Sequence, residues 1–221
     1  MRSATVDCGD LYREQRRDLV RIVRAFGDDH ATTVVPATPR WSVHDVLGHL
    51  VGIAADLNAG HLGHDDPDAW TDRQVQDRRA IDLGEMEAEW EREGPRFEEG
   101  LRVLGYEIGC HFVGDLVQHS LDVREALGAD AIGDQLALAV ALDHYLGAFH
   151  EALVAAGAGT VVVEVGDERW ELGDGPEVAG VAGSRLALLR CLAGRRRPDV
   201  PELTWTGDAG RIHPHVNVYG G

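Results

Sequence analysis

Apolar residues recur at helical spacing along the first two thirds of the chain. Leu11, Leu19, Ile22, Val23 and Phe26 stand between charges and predict an amphipathic helix over residues 11–26. Val34-Val-Pro-Ala-Thr-Pro-Arg-Trp41 carries two prolines and reads as an extended connection. Ser42-x-x-Asp45 resembles a capping box with Asp in place of the usual Glu. It opens a helix through Val46, Leu47, Leu50, Val51 and Ala54 to about Leu57. Residues 60–69, rich in Gly, His and Asp, read as a loop. Helices are expected over 71–79 and 82–103, the second interrupted or kinked near Pro95, which lacks the N–H a helix interior needs. Another runs from about Ile108 to Leu127 and is closed by Gly128. An Ala/Leu-rich helix over 134–156 is closed by Gly157 and Gly159.

At Thr160 the helical period ends. Thr160-Val-Val-Val-Glu-Val165, then Gly-Asp, then Glu168-Arg-Trp-Glu-Leu172 reads as a β-hairpin. Residues 177–182 are a candidate third strand, Ser184 caps a short helix through Leu192, and 201–206 are a candidate last strand. The pattern predicts an α+β protein: a helical domain over 1–156, followed by a small α+β domain over 157–221. There is no internal repeat and no low-complexity tract.

Composition narrows the function classes. The chain has 221 residues, 44% apolar and 27% charged, enough for a real core. A net charge of −17 argues against a sequence-independent grip on nucleic acid and against an anionic membrane surface. Cys8, Cys110 and Cys191 are scattered, an odd and sparse set that fits a reducing compartment. The N-terminal residues form no apolar signal-peptide core, and no apolar run approaches membrane-spanning length, so a cytoplasmic protein is expected. All 21 basic residues are Arg, which removes Lys-based Schiff-base chemistry and points to a genome rich in G and C.

Asp115-Leu-Val-Gln-His119 places a carboxylate and an imidazole one helical turn apart on one face. His49, from the earlier helix, could complete a three-donor set, and two imidazoles with one carboxylate suit a catalytic divalent metal with open positions. The pair alone does not decide the matter. With 11 His in the chain, a solvated helix face or a capped core His produces the same spacing. His111 shares the face, but it lies two turns, about 12 Å, from His119 and suits an outer or structural role. His144, His150, His213 and His215 carry no ligand pattern, and Glu85, Glu87, Glu89 and Glu91 read as a solvated face. Arg195-Arg-Arg197 follows a helix C-terminus, where the dipole favours cations. No phosphate-binding loop, nucleophile elbow or dinucleotide fingerprint is present.

Two stretches resemble a known family. Trp41-Ser-Val-His-Asp-Val-Leu-Gly-His49-Leu50 resembles the W-S-V-x-D-V-x-x-H-L signature of the DinB-like, mycothiol-dependent maleylpyruvate isomerase family. The segment Asp115 to Gly128 resembles its E-x-x-x-H-x-x-D-x-R-x-A-L-G motif, and residues 183–208 resemble its small C-terminal domain. A Lys-free composition also fits the actinobacteria, which make mycothiol. The resemblance implies a four-helix bundle holding a divalent metal, usually zinc, on His49, Asp115 and His119, with Asp115 standing where the family has Glu. Asp122 and Arg124 match the motif too, with a structural or a catalytic role open to each.

The activity so implied is a metal- and thiol-dependent isomerase or S-transferase acting on a small electrophile such as an unsaturated acid. Its partners would be that small molecule and a low-molecular-weight thiol. The alternative is a non-catalytic, metal-stabilised protein that binds a small ligand.

Overall fold

Acids and serines mark the helix starts of this chain. The computed structural model describes residues 6–63 and 66–218. Helix α1 (Cys8–Phe26) begins where the Asp7 side chain accepts from the Asp10 N–H at 2.8 Å. Helix α2 (Val43–Asn58) starts in the expected capping box of Ser42 and Asp45. Helix α3 (Pro67–Arg78) is capped by Asp66, with Pro67 in its first turn. Helix α4 (Leu83–Leu104) opens on a second capping box, Asp82 with Glu85. Helix α5 (Tyr106–Leu127) and helix α6 (Gln135–Ala156) close on Gly128 and Gly157 in left-handed conformation, as expected.

Two expectations are corrected. The loop assigned to 60–69 ends earlier, because Asp66-Pro67 is a helix start in its own right; His64 and Asp65, within that stretch, lie outside the described residues. Of the interruption or kink expected near Pro95, the interruption does not occur: helix α4 is continuous through it. Pro95 is exposed, so the Glu91 carbonyl that loses its helical partner can turn to water.

The chain forms two compact units, one reaching to Gly133 and the other running from Asp134 onward. In the first, α1, α2, α4 and α5 pack as a four-helix bundle, with α3 laid against α2. Its core includes Leu11, Leu19, Leu50, Val51, Met86, Trp90, Leu101, Val113 and Leu116. A charge pair lies within that core. Arg16 of α1, almost fully buried, donates from Nε to Glu98 of α4 at 3.0 Å and from an Nη to Glu91 at 2.8 Å.

In the second unit the period switch falls where the sequence places it. Strands β1 (Thr160–Val165) and β2 (Glu168–Leu172) form the expected hairpin, followed by β3 (Glu177–Gly183), α7 (Arg185–Leu192), β4 (Leu203–Gly207) and the short α8 (Ala209–Ile212). The sheet order is β2-β1-β3-β4, with β1 and β3 parallel and the other neighbours antiparallel. To bring β3 alongside β1, the chain leaving β2 must cross the start of β1. Gly173 makes that crossing at φ +95°, where a Cβ would stand 2.2 Å from the Gly159 carbonyl oxygen. His150 Nδ1 accepts from the Gly173 N–H at 3.0 Å, which gives that histidine a structural role. The units divide at Gly133/Asp134 and not at the helix-to-strand change, so α6, which packs on α7 and touches β2, groups with the sheet. Among the described residues no helix is long and apolar enough to cross a membrane.

The interior pair makes a stability prediction. Removing one partner of a buried ion pair leaves an uncompensated charge. Glu98→Ala should cost about 3 kcal/mol in urea unfolding, the low end of the usual range because Glu91 remains. Arg16→Met with Glu98→Leu should cost much less. A Glu98→Ala midpoint equal to the parent's would contradict this account of the core.

Candidate metal centre

The three residues singled out in the sequence converge. His49 projects from α2, and Asp115 and His119 lie one turn apart on α5. His49 Nε2 lies 3.8 Å from one Asp115 oxygen, and His119 Nε2 lies 3.6 Å from the other. One donor atom from each residue lies within 4.8 Å of the others. Bonds of about 2.0–2.2 Å would place ligand atoms around a tetrahedral ion about 3.4 Å apart. The two imidazole-to-carboxylate separations, 3.8 and 3.6 Å, stand close to that spacing. Although Asp115 is one methylene shorter than Glu, its carboxylate reaches both imidazoles.

Electrostatics and packing agree with a cation site. Burial pushes the Asp115 carboxyl up, but the facing His119 and His49, with His111 further out, outweigh it and hold the group well below the usual carboxylate range. Asp115 is therefore ionised. The Trp41 ring covers the cluster, with its centroid 5.3 Å from that of His49 and 5.9 Å from that of His119. Trp41 is placed by a tight loop: Val35 N–H donates to the Trp41 carbonyl at 2.9 Å, and Trp41 N–H to the Thr38 carbonyl at 2.8 Å. Burial raises the Tyr12 hydroxyl far above its ordinary value, Trp90 opposes this, and the Asp115 charge adds to it.

The outward nitrogens of both imidazoles face acceptors. His49 Nδ1 and the Gln74 amide oxygen are 2.9 Å apart, and the Gln74 amide nitrogen donates to Asp56 at 3.1 Å. His119 Nδ1 faces Asp122 at 3.5 Å, a charge contact too long to be a good hydrogen bond; that nitrogen makes no hydrogen bond in this conformation. Asp122 is fully buried and accepts from the Gln118 amide at 3.2 Å. Outward partners of this kind fix ring orientation and raise ligand basicity in metal sites. On these grounds the residues fit a divalent cation.

Of the other motif residues, Arg124 is structural. Its guanidinium pairs with Asp18 of α1 and donates to the Asp130 carbonyl at 2.8 Å. His111 is exposed and stands outside the cluster. Gln74 and Asp56 escaped the sequence reading, since no spacing signal marks a Gln on a short polar helix. Trp41 was visible only as a motif letter.

Comparison with known proteins bears on these residues. Residues 12–115 match the model of the mycothiol maleylpyruvate isomerase N-terminal domain, a span that holds His49 and Asp115 and stops four residues short of His119. No curated protein is matched by sequence. Among solved structures, a mycothiol-dependent maleylpyruvate isomerase superposes with TM-score 0.62 at 18% identity, covering 90% of this chain and 91% of that one. A histidine-to-alanine mutant described under the same name superposes with TM-score 0.60 at 17% identity and the same coverage. At such identities the structural likeness is one of fold, and the α+β architecture is shared across nearly the whole of both chains. The chain is thus similar over residues 12–115, a little under half its length, to the N-terminal domain of mycothiol maleylpyruvate isomerases, and over nearly all of its length it shares the fold of a solved one.

Proposed function

We propose that this protein is a metal-dependent enzyme that uses a low-molecular-weight thiol, mycothiol, to isomerise a small unsaturated acid or to transfer the thiol to it. The observation that carries the reading is the His49–Asp115–His119 cluster inside a bundle similar to that of the mycothiol maleylpyruvate isomerases. The metal ligands are His49 Nε2, His119 Nε2 and one Asp115 oxygen, and the ion is zinc. The site operates in the cytoplasm, where thiols stay reduced.

The chain's own thiols are poor candidates for the nucleophile. Burial, then Cys110 and Asp7, push Cys8 up to about 11, and burial, then Asp199, push Cys191 up to about 12. Both stay protonated at neutral pH, and Cys110, also buried, donates its S–H to the Glu107 carbonyl, so the reactive sulfur is assigned to a thiol from outside the chain. A divalent ion in the cluster supplies the positive charge that lets such a thiol lose its proton at neutral pH. Asp115 contributes one negative charge and the two neutral imidazoles none, which leaves charge for an incoming anion to neutralise. Trp41 shields one side of the imidazoles from water.

The chemistry balances without a further reagent. The thiolate sulfur forms a bond to one alkene carbon, and the alkene electron pair moves onto the conjugated carbonyl. The former double bond, now single, rotates. Return of the electron pair re-forms the alkene in trans geometry and expels the thiolate, so the thiol is regenerated. If the carbon is protonated instead, the carbon–sulfur bond remains and the product is a thioether.

Two measurements test the proposal. Metal analysis should find about one zinc per chain. His49→Ala and His119→Ala should abolish tight binding, Asp115→Ala should weaken it by more than the roughly 10–100-fold typical of an outer contact, and Asp115→Glu should retain it. Zinc bound as tightly by Asp115→Ala as by the parent would remove Asp115 from the ligand set. The loaded protein, given mycothiol and maleylpyruvate, should produce the trans isomer with the thiol unconsumed. A thioether product would assign the transferase. Binding of both molecules without turnover would assign the non-catalytic alternative.

A further inference from the structure

Helix α3 bears on the cluster through one buried side chain. Gln74, 1% exposed, has both ends of its amide engaged: the oxygen faces His49 Nδ1 and the nitrogen faces Asp56. A carboxylate only accepts, so Asp56 fixes which way the amide points. The amide oxygen is then turned to His49, and it too only accepts. Nδ1 of His49 must therefore carry a hydrogen, and in the neutral ring that leaves Nε2, the atom facing Asp115 and His119, with its lone pair.

We propose that Gln74 and Asp56 are positioning residues for the metal centre, a relay that fixes the orientation and tautomer of His49 so that Nε2 is presented as a ligand. The inference rests on the metal reading above but names residues outside its ligand set. The fold holds the relay closely. A Cβ on Gly52 of α2 would stand 2.5 Å from Gln74 Cβ and 2.6 Å from Cγ, so only glycine permits α3 to come this near. One turn further along α3, Arg78 Nη1 donates to the Gln74 carbonyl at 3.1 Å, and its Nε and other Nη hold Glu89 of α4 at 3.0 and 2.5 Å. Arg73 Nη2, 3.6 Å from Asp56, and His61 Nδ1, 3.9 Å away, face its carboxylate from the outer side. The whole relay, Asp56 to Gln74 to His49, thus spans α2 and α3 with each donor matched to an acceptor.

The test compares zinc affinity, by competition with a chromophoric chelator, with the NMR signal of the His49 Nδ1 proton in metal-free protein. In the parent that proton should be visible and protected from solvent exchange. Gln74→Leu should lose it and bind zinc about 10–100-fold more weakly. Gln74→Glu alone sets two carboxylates against each other and should also weaken binding. Adding Asp56→Asn reverses the polarity of the outer bond: the new amide on α2 donates to the new carboxylate on α3, which still accepts from His49 Nδ1. This double variant should recover most of the affinity, a rescue that a purely packing role for Gln74 does not provide. Gln74→Leu with parental affinity, or a double variant no better than Gln74→Glu, overturns the relay. If Gln74→Leu fails to fold, the double variant and the parental Nδ1 proton still decide. A protected Nδ1 proton in a parent that binds no zinc would defeat the metal reading and leave the relay as a device that orients His49.

Discussion

An imidazole has two nitrogens, and in the interior of a helical bundle each is favoured opposite a polar partner. That constraint organises the N-terminal unit. His49 and His119 are each less than a tenth exposed, and their Nε2 atoms meet at Asp115. Their Nδ1 atoms must then look outward, and each looks toward an acceptor, Gln74 in one case and Asp122 in the other. Supplying those acceptors needs a helix outside the four-helix bundle on one side and a fully buried carboxylate on the other. The three donors come from two helices, but orienting them draws in most of the unit.

Much of this was legible in the sequence, for identifiable reasons. Helix starts are local events, written by Ser42, Asp82, Asp134 and Ser184 within three residues of the groups they cap, whereas the Asp7 cap went unread and α1 begins three residues before the expected Leu11. The β1–β2 hairpin follows from a valine-rich run and a second short run on either side of a two-residue Gly-Asp turn. Asp115 and His119 are one turn apart and needed only the helical period, while His49 needed the motif around it. The unread parts are non-local. The contact of Gln74 with His49 depends on a glycine on another helix, and the grouping of α6 with the sheet depends on packing against α7, which its Ala/Leu-rich sequence does not reveal. The start of α3 was hidden because Asp66-Pro67 sits at the end of a stretch with loop composition.

A strongly acidic chain without lysine also has to brace its interior. Arg16 ties α1 to α4 through Glu98 and Glu91, Arg78 ties α3 to α4 through Glu89, and Arg124 ties α5 to α1 through Asp18. All three arginines are less than a tenth exposed. A guanidinium stays charged at any physiological pH and presents several donors in a fixed plane, so one side chain can grip two acceptors on different turns. The excess of acids is therefore partly a supply of partners for cross-helix struts, placed where an ammonium group would hold less geometry.

Helix α3 buries only Val75 among its apolar residues; its other buried side chains are Gln74 and Arg78. An element attached by polar contacts with little apolar area belongs to the low-stability end of a protein's local opening reactions. Its amides should exchange by partial detachment long before the bundle unfolds. The orientation of His49 is then governed by this local equilibrium and not by the global one. A melting temperature would report on the core of Leu50, Trp90 and Leu116 and stay silent about this local opening, because a variant could keep its full thermal stability while its cluster spends a growing fraction of time with one imidazole unlatched.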